Sequence, residues 1–196
     1  MATATTASPP TRLTVDQFWD FVHRPENENR DFELRRGEVI EVSRPTRKHG
    51  IVSLNIGVML SAYAARVKKG YATTNDSGVV LNDDPATVVG PDVAYYTDAQ
   101  SFEDVPAKWG HRPPVLAVEV LSPTDRMSHV NEKIADFLEN GVQVVWLVDY
   151  EEQCVTVYRV GQNHRVLNRE AELNGEPELT SFQCKVSDFF RLPHEA

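Results

Sequence analysis

The stretch Pro113–Asp149 constrains the fold of this chain more than any other. Val115–Leu121 is a short apolar run that predicts a buried strand, and Val142–Val148 predicts a second one. Between them, apolar residues recur at helical spacing from Ser128 to about Asn140, where an Asn-Gly pair is typical of a helix end. The stretch therefore predicts a strand, a loop, an amphipathic helix and a second strand.

Two charged residues in this stretch need an explanation. Glu119 is the only charge in the apolar run VLAVEVL, and burying a carboxylate is costly unless a cation, a metal or hydrogen-bond donors meet it. Exposure of Glu119 at a sheet edge is the alternative explanation. Lys133 lies beside the apolar stripe of the predicted helix. A lysine that extends its ammonium group to solvent explains this position at least as well as a catalytic lysine does.

The remaining sequence predicts one α/β domain over residues 13–196, preceded by a disordered tail over residues 1–12. The expected architecture is a mixed β-sheet core flanked by helices, with an N-terminal helix and a β-hairpin. The predicted elements are a helix over Val15–His23, a hairpin over Asp31–Ser43, a helix from Lys48 to about Lys68, and strands over Tyr71–Leu81, from about Pro91 to Tyr96, and over Val155–Val160.

Composition limits the classes of function. The net charge of −9 argues against a generally basic nucleic-acid coat, although it leaves room for a local basic groove. The two cysteines, Cys154 and Cys184, form no CxxC pair, so a zinc site and a disulfide framework are disfavoured. The start of the chain does not resemble a signal peptide, and no apolar run approaches a membrane span. We therefore expect a soluble cytoplasmic protein without a membrane partner.

Two carboxylates and a lysine follow one another in an order that makes chemical sense. Asp92 follows a proline at a strand start, Glu119 lies in the next buried strand, and Lys133 lies on the following helix. Each alone has an ordinary explanation, and turn chemistry explains Asp92 best. Together, two carboxylates at one point would repel each other unless a cation lay between them. Oxygen ligands suit Mg²⁺ or Mn²⁺, the backbone carbonyl of Val120 could add a ligand, and Lys133 could position a water.

The chain resembles the PD-(D/E)xK nuclease superfamily and, within it, the restriction endonuclease family of the Uma-two type. The resemblance runs from about Leu13 to about Leu192. It rests on FELRRGEVIEVS followed by His49, on PDVAYY, on VEVLSPTDR, on the helix that carries Lys133, and on NGVQVVWLVD.

This resemblance implies a restriction-endonuclease-like core, a mixed four-stranded sheet with helices on both faces, and divalent-metal-dependent cleavage of DNA. Asp92 matches the aspartate of the PD motif, and Glu119 matches the second acid. The usual lysine two residues after that acid is replaced by Leu121, and Lys133 matches the lysine that this family carries on the next helix.

Two further site residues come from the resemblance alone. Glu33 matches the acid of the family's hairpin, and His49 matches the histidine that opens its first long helix. Both are expected to contribute from the outer part of the site. One position departs from the family, because His129 stands where an aspartate often precedes the helical lysine by four residues.

Three functions remain open from the sequence. The first is a magnesium- or manganese-dependent DNA endonuclease that uses Asp92, Glu119 and Lys133. The second is a catalytically inactive module on a nuclease fold that binds nucleic acid or protein, which the acidic net charge and His129 favour. The third is a metal-dependent phosphohydrolase that acts on RNA or a nucleotide. A homodimer is plausible for the first, because duplex cleavage requires two cuts.

Overall fold

The computed structural model describes residues 12–123 and 125–195, so the predicted tail lies outside the described residues except for Arg12. The described residues form three α-helices and twelve β-strands. In chain order these are α1 (Val15–Val22), β1 (Asp31–Arg35), β2 (Glu38–Val42), α2 (Arg47–Val67), β3 (Tyr71–Thr74), β4 (Val79–Asp83), β5 (Ala86–Val89), β6 (Val93–Tyr96), β7 (Leu116–Val120), α3 (Met127–Glu139), β8 (Val144–Asp149), β9 (Cys154–Arg159), β10 (Arg165–Leu167), β11 (Glu172–Asn174) and β12 (Gln183–Lys185).

The main sheet has six strands in the order β10-β9-β8-β7-β6-β3. Strands β7 and β8 are parallel and are connected through α3, whereas the other neighbouring pairs are antiparallel. This parallel unit confirms the strand, helix and strand predicted for Pro113–Asp149. The sheet is mixed, as expected, but it has two strands more than the four-stranded core that the resemblance implies.

A second sheet has four strands in the order β2-β1-β5-β4. Its β1–β2 hairpin confirms the hairpin prediction, and Leu34 of β1 pairs with Val88 of β5. The single strand predicted over Tyr71–Leu81 is wrong, because β3 belongs to the main sheet and β4 to the second one. The chain turns between them at Asn75 and Asp76, which both have a positive φ. Asparagine and aspartate tolerate this conformation better than most residues do.

The chain also changes sheet between β5 and β6, at the segment Gly90-Pro91-Asp92. Asp92 is therefore set at the entrance of a strand in the middle of the main sheet, next to β7. The two sheets meet along this connection, which brings the hairpin residue Glu33 toward the same region.

Helices α2 and α3 cover opposite faces of the main sheet. Leu116 and Val118 of β7 pack in one cluster with Ile56 and Leu60 of α2. Ala117 packs in a second cluster with α3. Side chains alternate between the faces of a strand, so Glu119 lies on the same face as Ala117, toward α3 and Lys133.

Helix α2 is long and apolar enough to cross a membrane by length and composition, with a mean hydropathy of 1.4 in its most apolar window. The expectation that no run approaches a membrane span therefore needs correction. The core helix of a globular domain passes the same test. Ile56 and Leu60 are fully buried against the sheet, so the length and hydropathy of α2 are weak evidence for a membrane segment.

Candidate active site

Lys133 lies at the centre of a buried polar cluster between α3 and the two sheets. Its Nζ lies 2.8 Å from Oε1 of Glu33 and 2.9 Å from Oε2 of Glu119. It also donates a hydrogen bond to the carbonyl oxygen of Gly90 at 2.8 Å. An ammonium group has three donors, and these three acceptors match them. Although burial opposes its charge, the carboxylates of Glu119 and Glu33 raise the pKa of Lys133 above its usual value.

Glu33 reaches the cluster from β1 of the second sheet. Its Oε1 accepts a hydrogen bond from the backbone N–H of Gly90 at 3.4 Å, and its Oε2 lies 3.0 Å from Nη2 of Arg35. Burial alone would raise the pKa of Glu33, but Lys133 and Arg35 hold it below its usual value. Glu33 is therefore a buried, ionised carboxylate that contacts two cations.

Glu119 has one oxygen with a partner and one without. Oε2 contacts Lys133, whereas Oε1 is buried and has no hydrogen-bond partner among the described residues. Burial raises the pKa of Glu119 well above its usual value, and the charges of Asp92 and Glu33 raise it further, in opposition to Lys133. Since Lys133 stays charged, Glu119 is the acid whose ionised form is least well stabilised. An additional cation beside Oε1 would stabilise it.

Asp92 is held by α2 and β7. Its Oδ1 lies 3.1 Å from Nε2 of His49, and its Oδ2 accepts a hydrogen bond from the backbone N–H of Val120 at 2.6 Å. Burial would raise the pKa of Asp92, but His49, Lys133 and this N–H group lower it. In return, Asp92 raises the pKa of His49 despite the burial of the imidazole. The sequence-predicted residues thus form two contacting groups, His49 with Asp92 and Lys133 with Glu33 and Glu119, and the backbone of Val120 places the two groups side by side.

The sequence interpretation missed Asp76, which lies in the turn between β3 and β4. Partial burial and the nearby charge of Asp92 raise the pKa of Asp76, although the residue is open to solvent. The signal was the run Asn-Asp-Ser-Gly, a turn-forming cluster inside the strand predicted over Tyr71–Leu81.

The departure at His129 does not deprive Lys133 of partners, because Glu33 and Glu119 contact its ammonium group. The backbone carbonyl of His129 instead accepts a hydrogen bond from Arg35 at 3.3 Å. This contact connects the hairpin to the first turn of α3, close to the cluster.

The donor atoms in this cluster fit a hard divalent cation. They are carboxylate oxygens, which Mg²⁺ and Mn²⁺ prefer, and one of them, Oε1 of Glu119, is buried without a partner in the described part of the chain. Within residues 12–123 and 125–195, no three His, Cys, Asp or Glu side chains are grouped so that they could hold a metal as they stand. Mg²⁺ is usually held by one or two carboxylates together with water and substrate phosphates, so two acids suffice.

Comparisons with known proteins give the family and the fold of the chain. A family model described as "Putative restriction endonuclease", named Uma2, matches residues 18–187. The crystal structure of a "putative nuclease belonging to DUF820" from Anabaena variabilis superimposes with a TM-score of 0.77 at 22% identity, over 91% of this chain and 97% of that one. At this identity the likeness shows the fold alone, a mixed α/β domain. No curated protein matches the chain.

Proposed function

The chain belongs to the Uma2 family of restriction-endonuclease-like proteins, and we propose that it is a divalent-metal-dependent endonuclease that hydrolyses DNA phosphodiester bonds. Membership of the family supports a nuclease. The substrate, the metal dependence and the residue roles given below are parts of the proposal.

The observation that carries the proposal is the convergence of four chain segments on the ammonium group of Lys133. Glu33 comes from β1, Glu119 from β7 and Lys133 from α3, and the Gly90 segment itself leads into Asp92. Three buried acids around one lysine do not give the most stable core, since apolar residues in their place often stabilise a fold. Such costly arrangements cluster at functional sites.

In the proposal, Asp92 and Glu119 hold Mg²⁺ or Mn²⁺, together with the backbone carbonyl of Val120. The hydrogen bond from the N–H of Val120 to Asp92 keeps the two acids on neighbouring strands in reach of one site. When bound, the ion would lower the pKa of a water molecule and polarise the phosphate. The unpartnered Oε1 of Glu119 supports this assignment.

Lys133 assists the attacking water in this proposal. The three donors of its ammonium group meet Glu33, Glu119 and Gly90, so Lys133 would assist a water molecule by releasing Glu119. Glu33 then keeps the ammonium group in place. His49 is a positioning residue, because its contact with Oδ1 keeps Asp92 ionised and oriented.

The proposal also includes a homodimer and a cytoplasmic location. Cutting both strands of a duplex requires two sites, which a symmetric dimer supplies. Cys154 and Cys184 are free thiols, in keeping with a reducing compartment. Light scattering of the purified protein would test the dimer, and a monomer at working concentration would contradict it.

The first test is titration of the protein with Mn²⁺ by calorimetry, beside the Asp92→Ala/Glu119→Ala double variant. Binding in the wild type that disappears in the double variant is the expected result, with circular dichroism as the folding control. Glu151→Ala/Glu152→Ala is a matched control, since it removes two exposed acids outside the cluster. These substitutions should leave Mn²⁺ binding unchanged.

Cleavage assays with duplex DNA, single-stranded DNA and RNA then test the reaction. Mn²⁺-dependent cuts in DNA that the Asp92→Ala variant does not make are expected. Cuts in RNA alone would favour the RNA-directed phosphohydrolase. If neither Mn²⁺ alone nor Mn²⁺ with a DNA oligonucleotide bound, the nuclease would be excluded in favour of a binding module on a nuclease fold.

A further inference from the structure

A pocket lies at the β3 edge of the main sheet. Its volume is about 320 Å³, which falls at the lower end of the range for sites that take small molecules. Helix α1, strands β3 and β6, and the segment between β6 and β7 all contribute side chains to it. The residues that matter for the argument are Trp19, Tyr71, Thr73, Tyr96, Trp109 and Arg112.

The pocket lies on the same face of the main sheet as Glu119. Thr73 of β3 pairs with Ala94 of β6, and Ala94 pairs with Ala117 of β7. Side chains that are directly opposite on neighbouring strands share a face, so Thr73 lies on the face of Ala117 and Glu119. With about 4.8 Å between strands and about 3.3 Å per residue, the backbones of Thr73 and Glu119 are about 12 Å apart. One oligonucleotide could therefore reach both places.

Aromatic rings form the wall of this pocket. The ring centroids of Trp19 and Trp109 are 4.9 Å apart at an interplanar angle of 75°, and those of Tyr71 and Tyr96 are 5.3 Å apart at 15°. Trp19, Tyr71 and Trp109 are only partly buried. An aromatic face that stays open to solvent can stack on another flat ring.

Backbone contacts hold the wall in place. A Cβ atom placed on Gly78 would lie 2.5 Å from Nε1 of Trp109, so the indole lies directly against a residue that has no side chain. The backbone N–H of Val80 donates a hydrogen bond to the carbonyl of Gly110 at 2.8 Å, which joins the segment of Trp109 to β4. The turn that precedes Gly78 also packs on Gly90. The wall and the candidate active site therefore share one turn.

The rim of the pocket is basic, although the chain as a whole has a net charge of −9. Lys108 and Arg112 are exposed at the rim, and Nζ of Lys108 lies 5.0 Å from the ring centroid of Trp19. Asp98 also lines the pocket, and its Oδ1 accepts a hydrogen bond from the hydroxyl of Tyr71 at 2.9 Å. An anionic group beside the aromatic wall would thus meet two cations.

We propose that this pocket binds one unpaired nucleobase of a DNA strand, with an adjacent phosphate at Lys108 and Arg112, an inference that rests on the proposed nuclease function. Aromatic side chains next to positive charge are the features by which proteins hold single-stranded DNA. The same strand would continue toward Asp92 and Glu119. The preferred substrate is then single-stranded or locally unpaired DNA, because a base inside a duplex must leave its stack to enter a pocket.

The competing explanation is that the aromatic wall only holds α1 against the second sheet. Phe18 is fully buried and its ring stacks on Trp109 at 5.1 Å, so Trp109 serves this packing and is left unchanged in the tests. Trp19 is partly exposed. The Trp19→Leu variant removes a stacking face and keeps an apolar side chain, so we expect it to fold, with circular dichroism as the control.

The experiment is fluorescence anisotropy with two labelled single strands of equal length, an oligothymidylate and an abasic strand, in EDTA to prevent cleavage. The wild type should bind the oligothymidylate more tightly. Trp19→Leu should weaken binding of the oligothymidylate at least about fivefold, the lower end for the loss of one stacked base, and should bind the abasic strand like the wild type. Equal losses for both strands, or no loss for either, would overturn the nucleobase pocket.

The basic rim has its own test. Arg112→Gln should weaken binding of both strands and lower the slope of log K against log salt concentration by about 0.7, the value for one phosphate contact on a single strand. Arg165→Gln is the matched control, because it removes an exposed arginine on β10, at the opposite edge of the main sheet. Equal slopes in Arg112→Gln and the wild type would overturn the phosphate contact.

The outcomes separate this inference from the proposed function. A wild type that binds Mn²⁺ and cuts DNA, but binds the oligothymidylate and the abasic strand equally, overturns only the pocket. A wild type that binds no Mn²⁺, alone or with a DNA oligonucleotide, overturns the nuclease, whereas the metal-free anisotropy measurement decides the pocket.

Discussion

Nζ of Lys133 lies 2.9 Å from Oε2 of Glu119, which joins a helix to the strand that precedes it in the chain. Strand β7 and helix α3 belong to one parallel crossover unit, and the ion pair lies on the face of β7 that α3 covers. Packing of this unit therefore also assembles the acid and the lysine. Glu33 is added from the other sheet, so the complete cluster requires both sheets.

Replacing Lys133 should destabilise the fold strongly. In the Lys133→Met variant, the carboxylates of Glu33 and Glu119 stay buried and lose their shared cation. Removing one partner of a buried ion pair typically costs about 3–5 kcal/mol. We expect a loss of this size in the free energy of unfolding, measured in urea at pH 7 by tryptophan fluorescence.

Lys48→Met is the control for this measurement. Lys48 pairs with Glu151 at 3.0 Å, but both side chains are more than half exposed. Exposed pairs contribute about 0–1 kcal/mol, so this variant should be close to the wild type. Equal losses in the two lysine variants would show that the buried cluster does not depend on the charge of Lys133.

The sequence predicted the part of the site that depends on local pattern. Glu119 stood out because a charge interrupts an apolar strand, and Lys133 because it borders the apolar stripe of the next helix. In the structure the two side chains meet on one face of the sheet. Glu33 and His49 came only from the resemblance, because nothing in their own surroundings marks them.

The remaining features depend on contacts between distant segments. The run Asn75–Gly78 predicts a turn inside Tyr71–Leu81, but a local pattern cannot show that β3 and β4 pair in different sheets. The role of Gly90 was invisible for the same reason. Its backbone meets side chains that are 57 and 43 positions away.

The stability contributed by Glu33 should depend on pH. Its pKa is lowered in the folded protein, so its contribution is present above the unfolded value, about 4.3, and is lost as the pH falls through the folded-state pKa. The Glu33→Gln variant lacks this contribution. The difference in unfolding free energy between wild type and variant should therefore be largest near neutral pH and should narrow below about pH 4.3.

Urea unfolding at several pH values between 7 and 3.5 measures this difference. Glu41→Gln is a useful comparison, because Arg30 lowers the pKa of Glu41 at the exposed surface, where solvent screens the pair. The difference in unfolding free energy between wild type and Glu41→Gln should change less with pH. A constant gap between wild type and Glu33→Gln across the range would mean that Glu33 is not held ionised by Lys133 and Arg35.

Mg²⁺ should stabilise the folded protein if the acids bind it. A ligand that binds only the folded state adds about 2.7 kcal/mol at a concentration one hundred times its Kd. The melting temperature of the wild type should therefore rise with added Mg²⁺ and return to its starting value with a chelator. The Asp92→Asn variant should melt at the same temperature with and without Mg²⁺. An equal rise in the variant would assign the stabilisation to ions bound elsewhere.

Gly90→Ala should disturb both the fold and the site. The new Cβ would lie 2.6 Å from the carbonyl carbon of Asp76, so backbone must move. Overpacking of this kind typically costs about 1–3 kcal/mol.

Gly50→Ala is the matched control, because a Cβ there meets no atom within 4 Å and alanine in a helix gains about 0.5–1 kcal/mol. The free energy of unfolding, measured in urea, should therefore fall in Gly90→Ala and rise in Gly50→Ala. Mn²⁺ titration should show weaker binding only in Gly90→Ala. Unchanged stability and Mn²⁺ affinity in Gly90→Ala would contradict the close packing of the Asp76 turn on Gly90.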